Sequence, residues 1–217
     1  MSQLSWAVDE APGLDHLMFG ASDLDAGIVW IEERTGVRAA MGGVHPGRGT
    51  RNALLSLGPR RYLEIIAPDP EQKSVQDFAE PLWKQLKSLK QPRLLTWAAH
   101  VSHIEDFAKR INLPGEIHAG ARKRPDGGEL SWKTFNLEND WNGVLPFFIE
   151  WSATSMHPSV DAPAGCRLDN FSLGYANPVG LARFLRDTGL DKKIGVAQLA
   201  GIHAKITGPK GTAALEG

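Results

Sequence analysis

Apolar and polar positions along this chain follow one order of periods, and the order occurs twice. Leu14-Asp15-His16-Leu17-Met18-Phe19 alternates and predicts a strand over residues 14 to 21, with Leu14, His16 and Met18 on one face. Ser22-Asp23 offers a helix cap, Leu24, Ile28 and Ile31 recur at spacings of four and three, and Gly36 supplies a stop. A strand over 38 to 41, a Gly-rich turn over 42 to 49, and strands over 52 to 57 and 62 to 67 complete a βαβββ unit, ended by Pro68-Asp69-Pro70. A connecting segment, 76 to 90, carries Phe78, Leu82, Trp83, Leu86 and Leu89 at amphipathic helix spacing.

The second copy opens at Leu95-Thr96-Trp97-Ala98-Ala99-His100 and ends at Phe147-Phe148-Ile149-Glu150-Trp151. A shift of 80 places Ser22-Asp23-Leu24 over Ser102-His103-Ile104 and Leu55 over Phe135, and agreement over separated segments points to a duplication. From Glu64 to Glu150 the shift is 86, so about six residues are inserted before the last strand, in Asn139-Asp140-Trp141-Asn142-Gly143. Each copy thus ends in an apolar strand with one glutamate. An unpaired buried carboxylate is costly, so the two predict a site at the junction of the copies. After Pro163 a partial third unit is expected: a strand from Arg167, a helix begun by Asn177-Pro178, a strand over 196 to 207 and a short strand over 211 to 215. It is expected to extend the sheet or cover an edge.

The fold class is α+β, with tandem βαβββ units and a partial βαββ unit at the C-terminus. The boundaries are 1–75 for the first unit, 76–157 for the linking helix and second unit, and 158–217 for the third, packed as one compact domain. Composition narrows the function classes: 24 Lys and Arg against 25 Asp and Glu make neither a phosphate-seeking nor an acidic surface, so nucleic acid is not an expected partner. Cys166 stands alone, which excludes an intramolecular disulfide and a multi-cysteine zinc site and fits a reducing compartment. No apolar run approaches the ~20 residues that span a bilayer, so the expectation is a cytoplasmic protein acting on a small molecule, without membrane contact. A homodimer through a sheet edge stays open.

Leu14-Asp15-His16-Leu17, Ser22-Asp23-Leu24, the loop from Gly42 to Asn52 and Tyr62-Leu63-Glu64-Ile65-Ile66-Ala67-Pro68 together resemble the vicinal-oxygen-chelate superfamily, in its glyoxalase-like branch. The resemblance implies a curved mixed sheet cup holding a divalent metal (Zn, Mn, Fe, Ni or Mg) and a substrate with neighbouring oxygens. Carried over position by position, it implies His16, Glu64 and Glu150 as metal ligands, with Glu150 or Glu64 also the catalytic base. The fourth position falls on Thr96, where histidine is usual. His100 faces the same side four residues on, about 13 Å along an extended strand, too far to replace that ligand. The implied activity is metal-assisted lyase, isomerase or dioxygenase-like chemistry on a small oxygenated molecule. The alternative is a metal-free binding or sequestering protein using the same cup, and whether a thiol cofactor takes part stays open.

His45, Arg48 and Asn52 in the Gly-rich loop are expected to reach substrate, together with Thr96 and His100; solvated arginines on a hairpin turn are the competing reading. By alternation Trp97 and Trp151 are expected to face away from the Thr96 and Glu150 side, while Trp132 is unconstrained. His103 is expected at a helix start, His118, His157 and His203 carry no functional role, and Arg122-Lys123-Arg124 is expected to be a solvated loop.

Overall fold

The computed structural model describes residues 11–124, 127–191 and 194–217. Unit one comprises β1 (Gly13–Gly20), α1 (Leu24–Thr35), β2 (Ala40–His45), β3 (Thr50–Ser56) and β4 (Tyr62–Pro68). A short 3-10 turn and α2 (Glu80–Ser88) lead to unit two: β5 (Arg93–His100), α3 (Ile104–Ile111), β6 (Gly115–Lys123), β7 (Glu129–Leu137) and β8 (Phe147–Trp151). The third unit holds β9 (Arg167–Gly174), α4 (Pro178–Asp187), β10 (Gly195–Val196), β11 (Gly201–Thr207) and β12 (Thr212–Glu216).

Local signals act as the sequence predicts at α1, where the Asp23 carboxylate accepts the Ala26 N–H at 2.8 Å and Gly36 closes the helix at φ 76°. The Gly-rich segment is tighter than expected. Gly47 and Gly49 take positive φ in a turn of four residues, so β2 and β3 extend further toward it than the pattern predicts.

Both units share one sheet in the order β2-β3-β4-β1-β5-β8-β7-β6. The antiparallel β1–β5 pair lies at its centre, and β4 and β8 each run parallel to the first strand of their own unit. The pairing of Met18 with Thr96 and of His16 with Ala98 relates the units by an approximate two-fold axis between them. The sheet curls until its edges meet, where the Arg122 guanidinium on β6 donates to the Gly42 carbonyl on β2.

Alternation divides the sheet into two environments. Leu17, Leu63, Trp97 and Phe148 point outward into one apolar core, and each is fully buried. At about 1.5–3 kcal/mol for each large side chain removed from water, this face dominates the stability. The Trp97 indole N–H donates to the Val144 carbonyl at 2.9 Å, so its one polar atom is paired.

The third unit neither extends this sheet nor caps an edge. It forms a separate four-stranded sheet, β10-β9-β11-β12, whose Leu173, Ile206 and Leu215 join the same outward core, with Phe171 edge-on to Trp97 at 5.1 Å. An amphipathic sheet must bury its apolar face, and the apolar outer side of β1 and β5 supplies the matching surface. On the inner side, Leu86 of α2 packs with Met18, Ile66 and Leu95 and walls one flank of the cup.

Candidate functional site

The concave face of the sheet encloses a cavity of about 920 Å³. Its chemistry is lopsided. Unit one contributes His16, His45, Arg48, Asn52 and Glu64 beside one another, whereas unit two contributes an aromatic and apolar surface of Trp132, Phe147, Ile149 and Trp151 together with charged groups at Glu116, His118, Arg122, Glu138 and Asp140.

Asp15 and His16 are adjacent in a strand yet both serve the site, because Asp15 is an extra residue in the β1–β5 ladder, between the Leu14–Ala99 and His16–Ala98 pairs. The Asp15 carboxylate is fully buried and accepts three hydrogen bonds, from His16 Nδ1 at 2.7 Å and from His157 Nε2 and Trp151 Nε1 at 3.1 Å each. Burial pushes its pKa up, but the hydrogen bonds and charges of His157 and His16 outweigh this and hold it well below the usual carboxylate range. An ionised carboxylate only accepts, so His16 carries its proton on Nδ1 and presents Nε2 to the cup when neutral. The ring is stacked on Tyr62, centroids 4.5 Å apart.

Glu64, on β4, lies at the focus. Its Oε1 accepts the Asn52 amide N–H at 2.6 Å and is 3.8 Å from His45 Nε2, while its Oε2 is 3.6 Å from His16 Nε2. Oε2 accepts no hydrogen bond among the described residues. The Asn52 amide nitrogen also lies 3.3 Å from His45 Nε2, and His45 Nδ1 lies 2.9 Å from the Thr50 hydroxyl. Donation from Asn52 to both neighbours fixes His45 with its proton on Nδ1, facing Thr50. Burial lowers the His45 pKa to about 4; Glu64 opposes this, and Arg122, Arg48 and His16 add to it. Burial also raises the Tyr62 hydroxyl well above its usual value, with Asp15 and Glu64 adding to the rise, so it remains a donor.

His16, His45, Arg48, Asn52, Glu64 and Thr96 therefore meet in one cup. Glu150 does not. It pairs opposite Lys133 and points out of the cup, where its carboxylate accepts the His103 and Ile104 N–H groups at 2.7 and 3.3 Å, at the start of α3. The reason is register. Met18 pairs with Glu64, and its counterpart Ala98 pairs with Phe147; across the hairpin Leu54 pairs with Glu64, and its counterpart Thr134 pairs with Ile149. By either route the counterpart of Glu64 has odd offset, and Glu150 falls on the other face. Trp151 accordingly faces the cup, contrary to the alternation argument. His100 is corrected too: at the far end of β5, opposite Gly13, it bonds to the Ala11 carbonyl at 3.2 Å and lines a separate, smaller cavity.

Besides Tyr62, which the sequence marks only as a strand residue, three contributors escaped the sequence reading. Asp15 adjoins His16, but only the bulge brings it into play. His157 reaches Asp15 from a loop 142 residues away. Arg122, expected in a solvated loop, is 6% exposed and lines the cup. A buried arginine gives no local sequence signal.

The family resemblance implies a divalent metal, and the donor set does not fit the four-ligand pattern. At the positions equivalent to His16 and Glu64, unit two offers only the Thr96 hydroxyl and the side chains of Phe147 and Ile149, and one oxygen of Glu64 is bonded to Asn52. Among the described residues no group of three or more His, Cys, Asp or Glu side chains is arranged to hold a metal ion.

Two βαβββ units sharing one curled sheet around a cup define the vicinal-oxygen-chelate superfamily, and the geometry above is of that class. The family profile described as a glyoxalase-like domain matches residues 14–189, and the chain belongs to that family. No curated protein matches the sequence. Among solved structures, the chain is similar to a hypothetical protein from Staphylococcus aureus, with 14% identity, 94% of this chain and 86% of that chain covered, and a TM-score of 0.58. It also matches methylmalonyl-CoA epimerase from Mycobacterium tuberculosis, at 19% identity, 64% and 86% coverage and a TM-score of 0.43. The Streptomyces coelicolor enzyme of that name, in complex with 2-nitronate-propionyl-CoA, gives 19% identity, 63% and 94% coverage and a TM-score of 0.45. At 14% identity the likeness to the Staphylococcus aureus protein is one of fold.

Proposed function

We propose that the protein is a proton-transfer enzyme, an isomerase or lyase, acting on a carbon acid next to a carbonyl in a small oxygenated molecule, with Glu64 as the base. The observation that carries this reading is the setting of Glu64: a buried carboxylate inside the cup, anchored through Oε1 by Asn52, with Oε2 turned toward His16. Oε2 takes the proton from carbon as the C–H bond breaks, and the electron pair moves onto the carbonyl oxygen as an enolate. The Tyr62 hydroxyl, kept protonated by burial, donates to that oxygen. His16, oriented by Asp15, stands 3.6 Å from Oε2 to receive the proton and return it to the enolate carbon or to a leaving group. No step requires a metal.

The test is solvent exchange. In deuterium oxide, the wild type is expected to exchange the C–H next to the carbonyl of a bound substrate, and Glu64→Gln to lose about 10²–10⁴-fold in rate with its fold intact. An unchanged rate in Glu64→Gln would refute the assignment. The second reading, a sequestering protein without turnover, draws support from the aromatic wall of unit two; it holds if compounds bind tightly and none exchanges.

A further inference from the structure

The cup holds positive charge that the proton-transfer reading leaves unused. Arg48, on the turn between β2 and β3, lies over the Phe78 ring at 5.3 Å from its centroid, and Arg122 enters from β6. Arg122 donates one Nη1 bond to the Gly42 carbonyl, and neither guanidinium forms a salt bridge with a carboxylate among the described residues. Both pKa values are lowered, first by burial, with Glu64 nearby opposing the shift. Glu64, hydrogen-bonded to Asn52, acts on both arginines through its charge, and Asp161 acts likewise on Arg122, but neither carboxylate forms an ion pair with either guanidinium among the described residues.

Two partly desolvated guanidinium groups without a bonded anion favour a ligand that brings one. The same cavity is lined by Trp132, Phe147, Ile149, Leu95 and Met18. A cavity of about 920 Å³ is far larger than a lone anion needs, and its apolar wall calls for a hydrocarbon body. We infer that Arg48 and Arg122 form a carboxylate-binding subsite, and that the cup takes an amphiphilic carboxylic acid whose apolar body lies against the Trp132, Phe147 and Ile149 wall. This rests on the proton-transfer reading only in placing the reactive carbon over Glu64; the binding subsite stands by itself.

Calorimetric titration with octanoate, octanamide, acetate and octyl phosphate tests it. Octanoate is expected to bind at least tenfold more tightly than octanamide or acetate. Arg48→Gln and Arg122→Gln are each expected to weaken octanoate at least tenfold while leaving octanamide unchanged, with Arg122→Lys intermediate. Arg48 is on a turn and half-buried, so Arg48→Gln remains informative if Arg122→Gln fails to fold. Equal affinity for octanoate and octanamide, or no loss in Arg48→Gln, would overturn the subsite. Tighter, arginine-dependent binding of octyl phosphate would overturn its assignment to carboxylates. Octanoate binding retained in Glu64→Gln separates the two readings. Binding without exchange sinks proton transfer alone, and exchange of neutral carbonyl compounds without octanoate binding sinks the subsite alone.

Discussion

His45 is neutral at pH 7 inside the cup because burial disfavours its charge and Arg48 and Arg122 reinforce that bias, against the pull of Glu64. Its pKa falls from 6.5 to about 4 on folding, so between those values the unfolded chain binds more protons than the folded one. Stability from this residue is therefore complete above pH 6.5 and is lost as pH falls toward 4. The expected cost between pH 7 and pH 5 is about 2 kcal/mol. Urea unfolding at the two pH values should show it in the wild type, and His45→Gln should flatten the profile by that amount; identical profiles would contradict the burial account. His16, His45, Arg48, Asn52 and Glu64 were legible as residues because each stands in the first unit's strands or Gly-rich loop, where period and motif agree. Asp15, His157 and Arg122 were not, since their roles depend on a bulge, a contact across 142 residues and a sheet edge meeting its opposite edge.

At the scale of elements, hydrophobic period was enough to order β1 and α1, each with a face that must enter the core, and the internal repeat carried that order onto β5 and α3. Period alone did not set the face of β8. That is decided by the length of the connection between β7 and β8, and a change of one residue there exchanges the two sides. The consequence falls on Glu150, whose carboxylate serves the start of α3 rather than the cup. Glu150→Gln is expected to cost about 0.5–2 kcal/mol of stability, as loss of a charged cap does, and to leave ligand affinity unchanged. Chemical denaturation paired with ligand titration would check this, and a loss of affinity without a loss of stability would return Glu150 to the site.

For the whole molecule, duplication explains the cup, and divergence between the copies explains its lopsided chemistry: the His16, His45, Asn52 and Glu64 cluster lies in unit one, and the aromatic pair Trp132 and Trp151 lies in unit two. The third unit was readable as strands and a helix, but not as a cover for the outer face of β1 and β5, since nothing local in its sequence names the surface it packs on. Because its apolar side chains enter the same core as Leu17 and Trp97, we propose that the three units unfold together. Far-ultraviolet dichroism and tryptophan fluorescence should report one coincident transition; two separated transitions would contradict a shared core. The central claim, that Glu64 alone of the two strand glutamates is the working base and needs no metal, is tested most directly by solvent deuterium exchange of a bound carbonyl compound. The wild type, Glu64→Gln and Glu150→Gln would be compared with a strong chelator present. The expected result is exchange in the wild type and Glu150→Gln and its loss in Glu64→Gln; exchange abolished by the chelator, or lost equally in both variants, would contradict the account.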